Sequence, residues 1–96
     1  MRVMARISVP VEEGNKAVSE GKMGKIMGEA AARWKPEAMH FTTFDGKRTC
    51  FMVFDLPESA DMPAFSEPFF TGLNADVQLA PAMNAEDLQR GLSSLG

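Results

Sequence analysis

Glu37-Ala38-Met39-His40-Phe41-Thr42-Thr43-Phe44-Asp45-Gly46-Lys47-Arg48-Thr49-Cys50-Phe51-Met52-Val53-Phe54 is the stretch that decides the fold. Two β-prone runs, 37–44 and 47–54, flank Asp45-Gly46. That dipeptide suits a two-residue type I′ turn, in which both central positions take positive φ. A turn of this length fixes the register, so Phe44 opposes Lys47, Thr42 opposes Thr49, Phe41 opposes Cys50 and His40 opposes Phe51. Directly opposed residues share a face. One face therefore collects Met39, Phe41, Cys50, Met52 and Phe54, with Thr43 and Arg48 polar near the turn. The other collects Ala38, His40, Thr42, Phe44, Thr49, Phe51 and Val53.

Upstream of the hairpin, Val3, Ala5, Ile7 and Val9 alternate with Arg2, Met4, Arg6 and Ser8, which predicts a strand over 2–9 that Pro10 ends. Residues 12–33 read as mainly helical, with Met23, Ile26, Met27, Ala30 and Trp34 on one stripe. Gly21 and Gly24 are expected to divide this segment, and Pro36 stops it. Downstream, Pro57 closes the hairpin. A second helix is expected over 60–72, started near Asp61 and Pro63 and disturbed by Pro68. Alternation returns at 76–83, with Val77, Leu79 and Met83 on one side. Asn84 is an N-cap with Asp87 in the capping-box position, and Leu88, Leu92 and Leu95 make the stripe of a short terminal helix.

The order β-α-β-β-α-β plus a terminal helix is the ferredoxin-like arrangement, an α+β fold with a four-stranded antiparallel sheet in the order 4-1-3-2. Both long helices belong on one face, over Val3, Ala5, Ile7, Met39, Phe41, Cys50 and Met52. The opposite face gathers Met4, Arg6, Ser8, His40, Thr42, Thr49, Phe51, Val53, Gln78 and Ala80. An apolar patch of that size is expected to be covered, most simply by the same face of a second copy.

Length and composition agree with this picture and exclude several alternatives. Ninety-six residues make one domain, 1–96, with a thin stability margin. Small domains gain stability from disulfides, metals or oligomerisation. Cys50 is the only cysteine and His40 the only histidine, so an intrachain disulfide and a Cys/His metal site are both excluded. No metal and no bound cofactor is expected. The net charge is −3 and the lysines of the first helix alternate with glutamates, which is unlike a nucleic-acid-binding surface. No apolar run approaches the ~20 residues of a membrane span. Arg6 interrupts the N-terminal apolar stretch, so no signal peptide is read there, and an unpaired cysteine fits a reducing, cytoplasmic setting.

Several segments carry a family likeness: Lys35-Pro36-Glu37-Ala38, Phe41-Thr42-Thr43 with Gly46-Lys47-Arg48-Thr49, and Phe51 to Asp55. Glu67-Pro68-Phe69-Phe70-Thr71-Gly72-Leu73-Asn74-Ala75 and Met83-Asn84-Ala85-Glu86-Asp87-Leu88 extend it. On these the chain resembles the dimeric α+β barrel superfamily, in which two ferredoxin-like sheets pack face to face. More closely, it resembles a group of small bacterial proteins of unknown function. The resemblance runs from Arg2 to Leu92 and is weakest in the helix at 12–33. It implies the fold and a homodimer and supplies no activity. Wider members include cofactor-free monooxygenases, muconolactone isomerase-like enzymes, haem-degrading enzymes and ligand-sensing domains, a spread that assigns nothing by fold alone.

Chemistry is sought on the mixed face. Arg6, mid-strand on a face expected to be covered, suits a bidentate clamp for a carboxylate or enolate; the alternative is an interface ion pair or an edge open to solvent. His40 is the one side chain whose ordinary pKa lies near neutrality and so the candidate general acid or base; the alternative is a half-buried strand histidine. Thr42, Thr49, Phe51 and Gln78 are the expected lining of a site for a small organic molecule. A non-enzymatic dimeric scaffold or ligand sensor is the competing expectation. Cys50 and His40 point to opposite faces and make no nucleophile pair. Glu67 is a possible partner for Arg48 or Arg6. Gly21, Gly24 and Gly28 form no phosphate loop, and the eight methionines suit flexible core filling.

Overall fold

A computed structural model describes all residues from Met1 to Gly96. Its strands are β1 (Arg2–Val9), β2 (Ala38–Phe44), β3 (Lys47–Asp55) and β4 (Asp76–Pro81). Its helices are α1 (Val11–Ser19), α2 (Lys22–Trp34), α3 (Met62–Leu73) and α4 (Ala85–Ser93), with a single 3₁₀ turn at Ser59–Asp61. The hairpin forms as its turn chemistry requires: Asp45 and Gly46 have φ of 53° and 72°, and the β2–β3 register pairs Phe44 with Lys47, Thr42 with Thr49 and His40 with Phe51. β1 inserts between β3 and β4, antiparallel to both, giving the sheet order β2-β3-β1-β4. The architecture is α+β and fits a ferredoxin-like fold.

Period-two alternation sorts β1 and β3 into two faces, and the helices take the apolar one. Val3, Ala5, Ile7, Val9, Cys50, Met52 and Phe54 are buried there against Met27, Ala30, Phe65, Phe69 and Leu73. Phe54 stacks on Phe65 at 4.4 Å between centroids, and Trp34 closes the group edge-on to both at 5.6 Å. Burying side chains of this size contributes about 1.5–3 kcal/mol each, so this layer supplies most of the stability.

Three details differ from the sequence expectation. Gly21, in the left-handed region at φ 74°, makes the break between α1 and α2, whereas Gly24 continues inside α2. Pro68 lies within an unbroken α3, because the packing of Phe65, Phe69 and Leu73 outweighs the one lost backbone bond. Phe41, expected under the helices, is 62% exposed. β2 is an edge strand, and the helical layer lies over β1, β3 and β4 without reaching fully across it. The uncovered strip leaves an apolar groove of about 180 Å³ lined by Ile7, Val9, Met23, Met27, Phe41 and Cys50.

Candidate functional site

The second face of the sheet carries no helix. Combining the three strand registers places its residues in rows that cross the sheet from β4 to β2. The middle row reads Gln78, Arg6, Phe51, His40. Above it stand Ala80, Met4, Val53 and Ala38, and below it Asp76, Ser8, Thr49 and Thr42. All six residues singled out from the sequence therefore share one face, four of them in one row. With strands about 4.8 Å apart, the backbone of Arg6 lies about 5 Å from Gln78 and about 10 Å from His40, with Phe51 between.

The side chains are less evenly arranged than the backbone. Arg6 lays its guanidinium over the Phe44 ring, 4.5 Å from the centroid, and Phe44 meets Phe51 edge-on at 6.0 Å. Phe44 stands opposite Lys47, so its ring reaches Phe51 only by crossing Thr49. Thr49 is accordingly 3% exposed. Its hydroxyl donates to the Lys47 carbonyl at 3.1 Å, which leaves Ser8 Oγ to donate to Thr49 Oγ1, also at 3.1 Å. The Thr49 hydroxyl is thus already satisfied beneath the aromatic cover. Thr42 and His40, on the edge strand, are exposed.

Arg6 takes part in no ion pair. The ion pairs join Met1 to Asp55, Arg2 to Glu37 and Asp87, and Arg90 to Asp87. Arg48 donates to Asn15 Oδ1 at 3.1 Å, and Glu67, considered as its partner, stands exposed and unpaired. Beside Arg6 lies a shallow depression of about 230 Å³ lined by Met4, Arg6, Phe51, Gln78, Leu79 and Ala80. It brings Arg6, Phe51 and Gln78 together; His40 stands outside it, on the far side of Phe51. The tighter helix-side groove offers less chemistry. Its polar rim is Thr42, Arg48 and Thr49, and burial pushes the Cys50 thiol up to about 11, so Cys50 stays protonated and unreactive near neutrality.

Phe44 and Met4 are the site residues that sequence reasoning placed on this face without assigning them to the site. Their signal was partial: the register puts Phe44 on the same face as Phe51, but two side-chain positions along the strand from it, beyond the ordinary diagonal pair. No group of His, Cys, Asp or Glu is arranged to hold a metal ion, and no helix is long and apolar enough to cross a membrane. No protein-family model matches the chain, and no curated protein matches it in sequence.

Proposed function

We propose that two copies pack through their open sheet faces and that the depression beside Arg6 takes a small organic anion. The observation that carries this reading is an unpaired arginine in the middle of a central strand, on a mixed face between Phe51 and the apolar row of Ala80, Met4, Val53 and Ala38. A guanidinium covered in an interface is costly unless an anion answers it, and a carboxylate or enolate does so through two parallel hydrogen bonds. Gln78 flanks that position with an amide able to donate and accept, and Phe51 supplies a flat apolar platform. His40, across Phe51 from Arg6, is the group able to move a proton near neutral pH, so a ligand spanning Phe51 would present its far end to a base. The likeness to the dimeric α+β barrel superfamily supports the same assembly.

Phe44 favours a second reading, a dimeric scaffold or ligand-sensing module with no catalysis. Its ring already occupies part of the face and holds Arg6 by stacking, which is how an arginine is made comfortable without a ligand. Sedimentation equilibrium and an NMR titration with a panel of small aliphatic and aromatic carboxylates separate the readings. Twice the 10.5 kDa chain mass at micromolar concentration is expected, with carboxylate-induced shifts at Arg6, Phe51 and Gln78 that Arg6→Met removes. A monomeric mass overturns the assembly. A dimer whose response survives Arg6→Met overturns the anion site, and a dimer with no response leaves the scaffold reading.

A further inference from the structure

The terminal helix makes the next inference, which rests on the face-to-face dimer above. α4 buries no residue in its own chain: Leu88 and Leu92, one turn apart on one side of the helix, are 46% and 54% exposed, and Leu95, just past the helix end, is 81% exposed. The helix nevertheless has a complete N-terminal cap. Asn84 Oδ1 accepts from the Asp87 amide at 2.8 Å, and Asp87 Oδ2 accepts from the Asn84 amide at 3.1 Å. Nine residues are fewer than the ~12–15 that hold an isolated helix in water. A capped helix of that length with an uncovered leucine stripe needs a surface to lie on.

Its own domain does not supply that surface. The radius of gyration is 15.0 Å, against about 12.5 Å for a compact chain of this length. The long axis is 54 Å, while the nine-residue β3 spans only about 30 Å, so an element stands out from the body. α4, about 14 Å long and without core residues, is that element.

Its base is fixed to the open face. Arg2 belongs to the same alternating set as Met4 and Arg6, and its Nη1 donates to Asp87 Oδ2 at 2.9 Å while Nε donates to Glu37. The arm therefore rises from the rim of the face proposed to pair. The sheet face alone is too small for a stable interface. Four strands of about 20 Å give a face of about 400 Å² per copy, about 800 Å² for the pair, below the ~1,200 Å² where stable interfaces begin. Two arms, each covering about 140 Å² and burying as much on the surface beneath, bring the total to about 1,350 Å².

We infer that α4 is an exchanged arm whose Leu88 and Leu92, with Leu95 just beyond the helix, pack on the second copy of the chain, completing the dimer that the open sheet face begins. The test uses full-length chains: wild type, Leu88→Gln/Leu92→Gln, and Met4→Lys on the sheet face. Wild type is expected to be a dimer, with amide protection over 88–93 that fades on dilution. The double leucine variant should weaken dimerisation at least about a hundredfold while the urea midpoint of the monomeric body holds. An unweakened dimer in that variant, or protection independent of concentration, overturns the arm. If Met4→Lys alone abolishes dimerisation in that case, the sheet-face dimer stands without the arm; a monomeric wild type overturns both.

Discussion

The two faces of the sheet share one backbone and one set of ladder hydrogen bonds, yet they have opposite fates. On the helix side every side chain of β1 and β3 from Val3 to Val9 and from Cys50 to Phe54 is apolar and buried. On the open side the alternate positions run Met4, Arg6, Ser8 and Thr49, Phe51, Val53, and only Ser8 and Thr49 are closed over. Stability is concentrated in one face and uncommitted chemistry in the other. The strongest break of that contrast is a pair of alanines. Phe54→Ala should cost about 3–5 kcal/mol, since it empties a site stacked between Phe65 and Trp34. Phe51→Ala, three residues away and only partly buried, should cost the monomer clearly less, about 1 kcal/mol. Urea unfolding at a concentration where the chain is monomeric measures both; equal losses would mean that the open face is a second core.

Thr49 and its neighbour Ser8 are where the open face is closed from within. Thr49→Val keeps the shape and removes a hydroxyl that accepts from Ser8 and donates to the Lys47 carbonyl. A loss of about 1–2 kcal/mol is expected, from leaving the Ser8 hydroxyl without its partner under Phe44. The companion Ser8→Ala/Thr49→Val should recover part of it, because removing both partners leaves nothing unpaired. No recovery would place the cost in the Lys47 turn instead.

The hairpin was legible because its information is local. Asp45-Gly46 demands one turn, the turn demands one register, and the register sorts every side chain from Ala38 to Phe54 by face. The capping box at Asn84 was legible for the same reason. What the sequence did not carry was how far the helical layer extends. The exposure of Phe41 depends on where α2 lies laterally, which alternation along β2 does not encode. The stacking of Arg6 on Phe44 is likewise a choice between rotamers set by neighbours on three strands. The candidate site was thus readable as a face, and the depression beside Arg6 only from the side-chain positions.

Cys50 gives the closed face a titration of its own. Burial raises its pKa from 9.0 to about 11, so the thiol is neutral in both folded and unfolded chains well below pH 9 and contributes no pH dependence there. Between pH 9 and about 11 the unfolded chain ionises its thiol and the folded chain does not, so stability should fall through that window. Cys50→Ala should flatten this part of the profile. A thiol reagent at pH 8 should modify the native protein far more slowly than the urea-unfolded chain. Equal rates would show that the groove beside Phe41 opens to solvent.

The smallest effect belongs to the rim of the open face, and it runs in the opposite direction with pH. Asp87 is held below the usual carboxylate range, chiefly by the Asn84 amide and then by Arg90 and Arg2. A depressed carboxylate contributes its stabilisation above its unfolded pKa and loses it as pH falls through the folded one. Acidification below the usual carboxylate range should therefore fray the first turn of α4 while the core, which holds no carboxylate, stays folded. Amide shifts of Asn84 to Leu88 should titrate together, and Asp87→Asn should remove that transition while retaining an N-capped turn. The same acidification should loosen α4 from Arg2, since Asp87 bridges the cap of the helix and the first residue of β1. If the α4 amides titrate in Asp87→Asn as they do in the wild type, the arm is oriented by the strand end alone and its cap is incidental to its direction.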